Sequence, residues 1–317
     1  MFAIENKSFG KFKIVELQNK NSGEFAAVNI DFGAAIQQIG LRKNDKVIEV
    51  LDTYSSPEAI INDFSQTYKG AKLFPFPNMV KNGQYIFEGI NYQLPLNWVE
   101  DGHSIHGFVA DKTFKVIEKI ATDDGAFVIV NYEHGICESY PFSFLLTIKY
   151  SLTSNGFSAT TTVSNTGQKS MPYGDGWHPY FLFDEMDADN VFLKLPPSAV
   201  VEIDEHFIPT GKMIENRNYI NFNQLGNLHL DTCFHLDCPG AIAVTQLWHK
   251  QKDIGINIWQ QTGREKYNYV LIYTPPGRKS IAVEPMTCAP DAFNNHQGLI
   301  LLKPSEVFEA SFGVQLF

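Results

Sequence analysis

Five short stretches of this 317-residue chain concentrate residue types that do chemistry on small molecules. GDGWHPYF, Gly174 to Phe181, sets His178 among two glycines, a proline and three aromatics. Glycines on either side of Asp175 support an abrupt turn, Pro179 fixes the backbone beside the imidazole, and Trp177, Tyr180 and Phe181 offer walls or stacking faces. VEPMTCAPDAFN, Val283 to Asn294, puts Glu284 at the end of an apolar strand-like run and directly before Pro285. DGHSIHGF carries His103 and His106, LDTCFHL carries Asp231, and KLFPFPNMVKNGQY carries Asn78, Met79 and Lys81. An imidazole and a carboxylate together can serve as general acid and general base. Singly, each residue fits an inert role just as well: His178 as a hydrogen-bonded core histidine, Glu284 as a solvated strand-end acid.

The elements that must position these residues read as strands. Period-two alternation recurs from end to end, with runs near 11–18, 24–30, 33–41 and 46–52 and later near 190–196, 199–204, 241–249, 253–261, 269–274, 280–284 and 306–316. Between residues 144 and 165, Phe144, Leu146, Ile148, Tyr150 and Leu152 share one face and Phe157, Ala159, Thr161 and Val163 answer them across Asn155 and Gly156, a strong hairpin signal. A second hairpin is expected at Asp124 and Gly125. One helix start stands out, where Ser55 and Glu58 fit a capping box and Pro57 occupies the first turn ahead of Ala59, Ile60, Ile61 and Phe64. With no linker, repeat or charge block, the pattern predicts an all-β chain, residues 1–317 as one domain of two large packed antiparallel sheets with little helix.

Composition excludes several functions. The formal charge of −10, without any Lys/Arg cluster, argues against nucleic acid and anionic membranes as partners. No stretch approaches the roughly 18 to 20 apolar residues that span a bilayer, and the N-terminus lacks the apolar segment of a signal peptide. A cytoplasmic protein, monomer or homodimer, is the expectation. Cys137, Cys233, Cys238 and Cys288 are too few and scattered for a disulfide framework, and the Cys233/Cys238 pair has no second pair to complete a metal site.

In this order, LFPFPN with its following NGQY, HSIHGF, GWHPYF, PTGK at Pro209 to Lys212, LDTCF and VEPMTCAPDAFN resemble the aldose 1-epimerase (galactose mutarotase) family, over residues 70 to 295 and, by strand pattern, nearly the whole chain. GWHPYF and VEPMT are the most specific segments. The resemblance implies a galactose mutarotase-like supersandwich that converts the anomers of a small-molecule sugar without cofactor or metal. It further implies Glu284 as general base, His178 as general acid, and His106 and Asp231 as partners of the sugar hydroxyls, with Asn78 as a further substrate contact. Such a reaction takes a proton from the anomeric hydroxyl and delivers one to the ring oxygen, so one base and one acid suffice. An unperturbed imidazole is only about a quarter protonated at pH 7, so Asp231 or Glu284 is expected to raise the pKa of His178.

One position departs from the family pattern. Many members have arginine directly after the asparagine of FPFPN, where this chain has Met79. If Met79 faces the sugar, a hydroxyl loses a charge-assisted partner and the preferred sugar is less polar there. Lys81, on the same face if the segment is a strand, is the candidate replacement donor. Three other classes compete: a non-catalytic sugar-binding protein on the same scaffold, a sugar-phosphate epimerase, which would need a cationic cluster, and a metal enzyme using His103, His106 and His178. No dinucleotide or phosphate-loop motif is present.

Overall fold

The computed structural model describes residues 1–183, 188–238 and 240–317. Strands account for 53% of the chain against 8% helix, so the protein is all-β as expected. The alternation of the sequence becomes alternation of burial: in Gly156–Asn165 every second residue is buried, and in Phe144–Thr153 the predicted face of Phe144, Leu146, Ile148, Tyr150 and Leu152 is fully covered. These two strands pair as the sequence suggests, but the turn is Ser154 and Asn155, and Gly156 (φ +91°) opens the second strand opposite Thr153.

Two large sheets form the sandwich. One has nine strands, running from Lys115–Ala121 at one edge through Phe144–Thr153, Gly156–Asn165 and Val307–Leu316 to Val191–Lys194 and Asn223–Gln224. The other has eight: in spatial order Pro209–Glu215, Ser198–Ile203, Asp231–Leu236, Tyr269–Tyr273, Ile281–Met286, Gly176–His178 and Ala71–Leu73, with Tyr180–Phe181 also pairing Ile281–Met286. A shared core runs between them, including Ile148, Val163, Trp177, Val283 and Phe312.

The expectation of only two large sheets is corrected. The first five strands, from Phe2–Phe9 to Lys46–Glu49, form a separate five-stranded antiparallel meander. Phe12–Asn19 is buried at consecutive positions and touches Gly125–His134 and Phe144–Thr153. A run covered on both faces does not reveal from its pattern which sheet it joins.

The helix, Pro57–Thr67, is capped one residue later than predicted: the Ser56 hydroxyl accepts from the Ala59 amide at 3.2 Å, so Glu58 falls out of register for a reciprocal cap. It buries Ile60 and ends at Tyr68 in a left-handed conformation (φ +48°). No helix among the described residues is long and apolar enough to cross a membrane.

Candidate active site

The floor of the site is the centre of the eight-stranded sheet. The register that pairs Gly176 with Met286 and Tyr180 with Ala282 sets His178 directly opposite Glu284 on neighbouring antiparallel strands, where side chains point to the same face with Cβ atoms about 5 Å apart. His178 Nε2 lies 3.3 Å from Glu284 Oε1. Every residue of Gly176–His178 and Ile281–Met286 is buried. Gly176 is required here, because a Cβ would stand 2.8 Å from the Pro77 side chain. On the same face, Glu284 pairs with Leu271 and Leu271 with Cys233, while Tyr273 pairs with Asp231.

Over this floor lies a cleft of about 610 Å³. Its walls come from outside the sheet: the helix end at Ser65 to Tyr68, the connection from Asn97 to Glu100, Ile105 and His106, Asn78, Phe207 and Pro290. His106 and Asn78 are both left-handed (φ +62° and +54°), and the His106 amide donates to the Asn78 carbonyl at 2.6 Å. Non-glycine residues hold such conformations only where surroundings impose them. The next residue, Gly107, has φ +70° and lies so close to the Phe74 carbonyl that any Cβ would collide with it.

The electrostatics follow from burial without counter-charge. Desolvation drives the His178 imidazole down to about 3. It pushes Glu284 well above the usual carboxylate range, and the nearby Asp231 charge adds to the rise. His106 lies well below its ordinary value, through burial and then the proximity of His178. Asp231 is open to the cleft solvent, yet its seat in the concave floor raises its carboxyl too. The expectation that a carboxylate raises the pKa of His178 is therefore corrected: removal from water dominates and drives it down. Glu284 Oε2, His178 Nδ1 and His106 Nδ1 are buried without a hydrogen-bond partner among the described residues, and no lysine or arginine lines the cleft there.

Of the residues singled out in the sequence, Glu284, His178, His106, Asp231 and Asn78 all line this one cleft, whereas Lys81 and Met79 do not. The strand expected to carry Lys81 is only Met79–Val80, and a turn follows with Asn82 left-handed, so Lys81 projects as an exposed side chain while its amide donates to Asp291 Oδ1 at 2.9 Å. Met79 is 1% exposed and packed away, so direct contact with a sugar does not run through it. His103 is buried outside the lining, its Nδ1 accepting from the Asn82 amide, and among the described residues no three His, Cys, Asp or Glu side chains are placed as a metal-binding group. Of the expected aromatic walls, Tyr180 lines the cleft and stacks on His178 at 4.9 Å and 10°, while Trp177 faces the core. Sequence reasoning missed Asn97, whose side chain bonds the Tyr68 hydroxyl and the Ile105 backbone, and Tyr273, which an alternation argument from Asp231 across the ladder would have found.

Comparison with known proteins bears on the family and the fold. Residues 13–315 match the family model described as aldose 1-epimerase. The chain is 28% identical over 299 residues to the uncharacterized protein YihR of Escherichia coli K12, covering 92% of this chain and 91% of that one. It is 32% identical over 255 residues to the uncharacterized protein YphB of the same organism, covering 74% and 79%. In fold it is similar to a galactose mutarotase-like protein of Clostridium acetobutylicum (TM-score 0.86, 21% identity, 100% and 98% coverage) and to galactose 1-epimerase of Lactobacillus acidophilus (TM-score 0.79, 16% identity, 100% and 98% coverage).

Proposed function

This chain belongs to the aldose 1-epimerase family, and from that premise we propose that it is a cofactor-independent mutarotase, interconverting the α and β anomers of a neutral aldose with Glu284 as base and His178 as acid. The observation that carries the reading is the buried His178–Glu284 pair, 3.3 Å apart, on the floor of a cleft roomy enough for a sugar.

The pair shares one proton, and ring opening moves it through two states. In the first, Glu284 is ionised and His178 protonated: Glu284 takes the anomeric hydroxyl proton while His178 gives its proton to the ring oxygen, the C1 to ring-oxygen bond breaks, and the open aldehyde forms. Both groups are then neutral. The aldehyde rotates about the C1–C2 bond, and reclosure runs the transfers backwards, with Glu284 protonating the carbonyl oxygen and His178 taking the proton from the attacking hydroxyl. Burial pushes Glu284 up and His178 down, so the site favours the neutral state that accompanies the open chain. The charged state needs only one proton transfer across 3.3 Å. His106, Asp231 and Asn78 line the cleft and are the proposed holders of the sugar hydroxyls while the carbonyl turns.

Polarimetry or NMR of freshly dissolved α-aldoses, run as a panel, tests the reading. Wild type should accelerate mutarotation of at least one neutral aldose, and Glu284→Gln and His178→Gln should each reduce the rate by about 10² to 10⁴. Sugar binding without acceleration would identify a binding protein instead.

A further inference from the structure

Behind the catalytic pair, on the opposite face of the same strands, lies a fully buried ion pair. Lys72 Nζ sits 2.5 Å from Asp175 Oδ1, and both side chains are 0% exposed. Lys72 also donates to the Thr161 hydroxyl at 2.8 Å and lies 4.3 Å from the centre of the Trp177 ring, while the Tyr267 hydroxyl donates to Asp175 Oδ2 at 2.7 Å. Thr161 belongs to the nine-stranded sheet, so this cluster joins the two layers directly beneath the site. A buried ion pair is rarely the most stable filling of a core, since apolar residues of similar volume usually do as well or better.

The ladder shows why it stands there. Proline has no amide hydrogen, and Pro179 and Pro285 sit beside His178 and Glu284, so the two strands lose donors next to the residues they must align. Flanking these positions, the Val283 amide donates to the Pro179 carbonyl at 3.2 Å and the Thr287 amide to the Asp175 carbonyl at 2.9 Å. Asp175 also donates its own amide to the Thr287 hydroxyl at 2.8 Å. It is three residues before His178, and Thr287 is three after Glu284, so Asp175 ties the arm of the imidazole to the arm of the carboxylate. Its side chain anchors that tie to Lys72 and Tyr267.

We propose that Asp175, held by Lys72, is a positioning residue that keeps His178 and Glu284 at proton-transfer distance, replacing the alignment that the two prolines remove from the ladder. The proposal rests on the catalytic reading above. A displacement of about 1 Å at such a pair costs on the order of 10²-fold in rate.

The test replaces the buried pair with apolar side chains. The double variant Lys72→Met/Asp175→Leu should melt at or above the wild-type temperature, yet show kcat lowered 10-fold or more with KM within about 2-fold. The ¹⁵N NMR shifts of the His178 ring should depart from those of wild type. Conservative Asp175→Asn, paired with Lys72→Met, should recover part of kcat, because Asn still accepts from Tyr267. Wild-type kcat in the stable double variant would overturn the proposal, as would equal losses in kcat and 1/KM. If the apolar variant does not fold, single Asp175→Asn decides on the same criteria, and failure of both to fold assigns the pair to stability and refutes positioning. If wild type turns over no aldose, the catalytic reading fails on its own, while the His178 shifts still report whether Asp175 aligns the pair.

Discussion

The rings of His106 and His178 meet edge to face, centroids 5.1 Å apart, and both are buried, His178 beside the Glu284 carboxyl. Two imidazoles so placed repel one another when charged, and burial opposes charge on either. Burial thus pushes both imidazoles toward the neutral form and the Glu284 carboxyl in the same direction.

That arrangement gives opposite pH signatures to His178 and Glu284, the proposed acid and base. His178 falls from 6.5 to about 3 on folding, so between those values the unfolded chain binds the extra proton, and the stability linked to His178 is lost as pH falls below 6.5. Glu284 is raised above 4.5, so its contribution is present below that value and lost as pH rises. Relative to wild type, His178→Gln should gain thermal stability progressively from pH 6.5 toward 4, and Glu284→Gln should gain it at pH 8 but not at pH 4. Gains of about 2 to 4 °C correspond to 1 kcal/mol in larger domains. Scanning calorimetry across pH checks this, and melting curves that stay parallel to wild type would rule it out.

Asp231 acts on Glu284 at a distance. Its charge helps hold the Glu284 proton on, so Asp231→Asn should make Glu284 a base at lower pH and move the acid limb of the kcat/KM profile downward. A sugar hydroxyl also loses a charged acceptor, and KM should rise about 10-fold. An acid limb that stays in place would separate Asp231 from the electrostatics of the base.

Charge in the substrate should be discriminated against. With Asp231, Glu284 and Glu100 in the lining and no described lysine or arginine there, a 6-phosphate or a uronate should show kcat/KM at least about 10-fold below its neutral parent at low salt. Part of that deficit should recover at high salt, where the exposed carboxylates are screened. Equal rates for aldose and aldose 6-phosphate would refute the neutral-sugar assignment.

The strands and the cleft residues were legible for different reasons. Alternation located Phe144–Thr153, Ile242–His249 and Val307–Leu316 because each buries one face. It could not assign Phe12–Asn19 to a separate sheet, because that strand is covered on both. His178 and Glu284 stood out through the glycines and prolines around them. The lowering of His178 was not legible, since the sequence names the carboxylate that attracts a proton but not how completely water is excluded. Lys81 was misplaced by one assumption, that Met79–Val80 continues as a strand, when Asn82 turns left-handed and breaks the face. Asn97 gave no signal, because a polar residue in a connection looks the same whether it meets solvent or substrate.

The division between floor and walls has a consequence for how this protein can change. His178 and Glu284, the proposed acid and base, sit on strands buried at every position, while the walls come from a helix end and separate surface connections. Insertions or exchanges in those connections reshape what enters the cleft without disturbing the proton couple beneath. The same chemistry can thus be handed from one sugar to another by small steps, each tolerated before the next is taken.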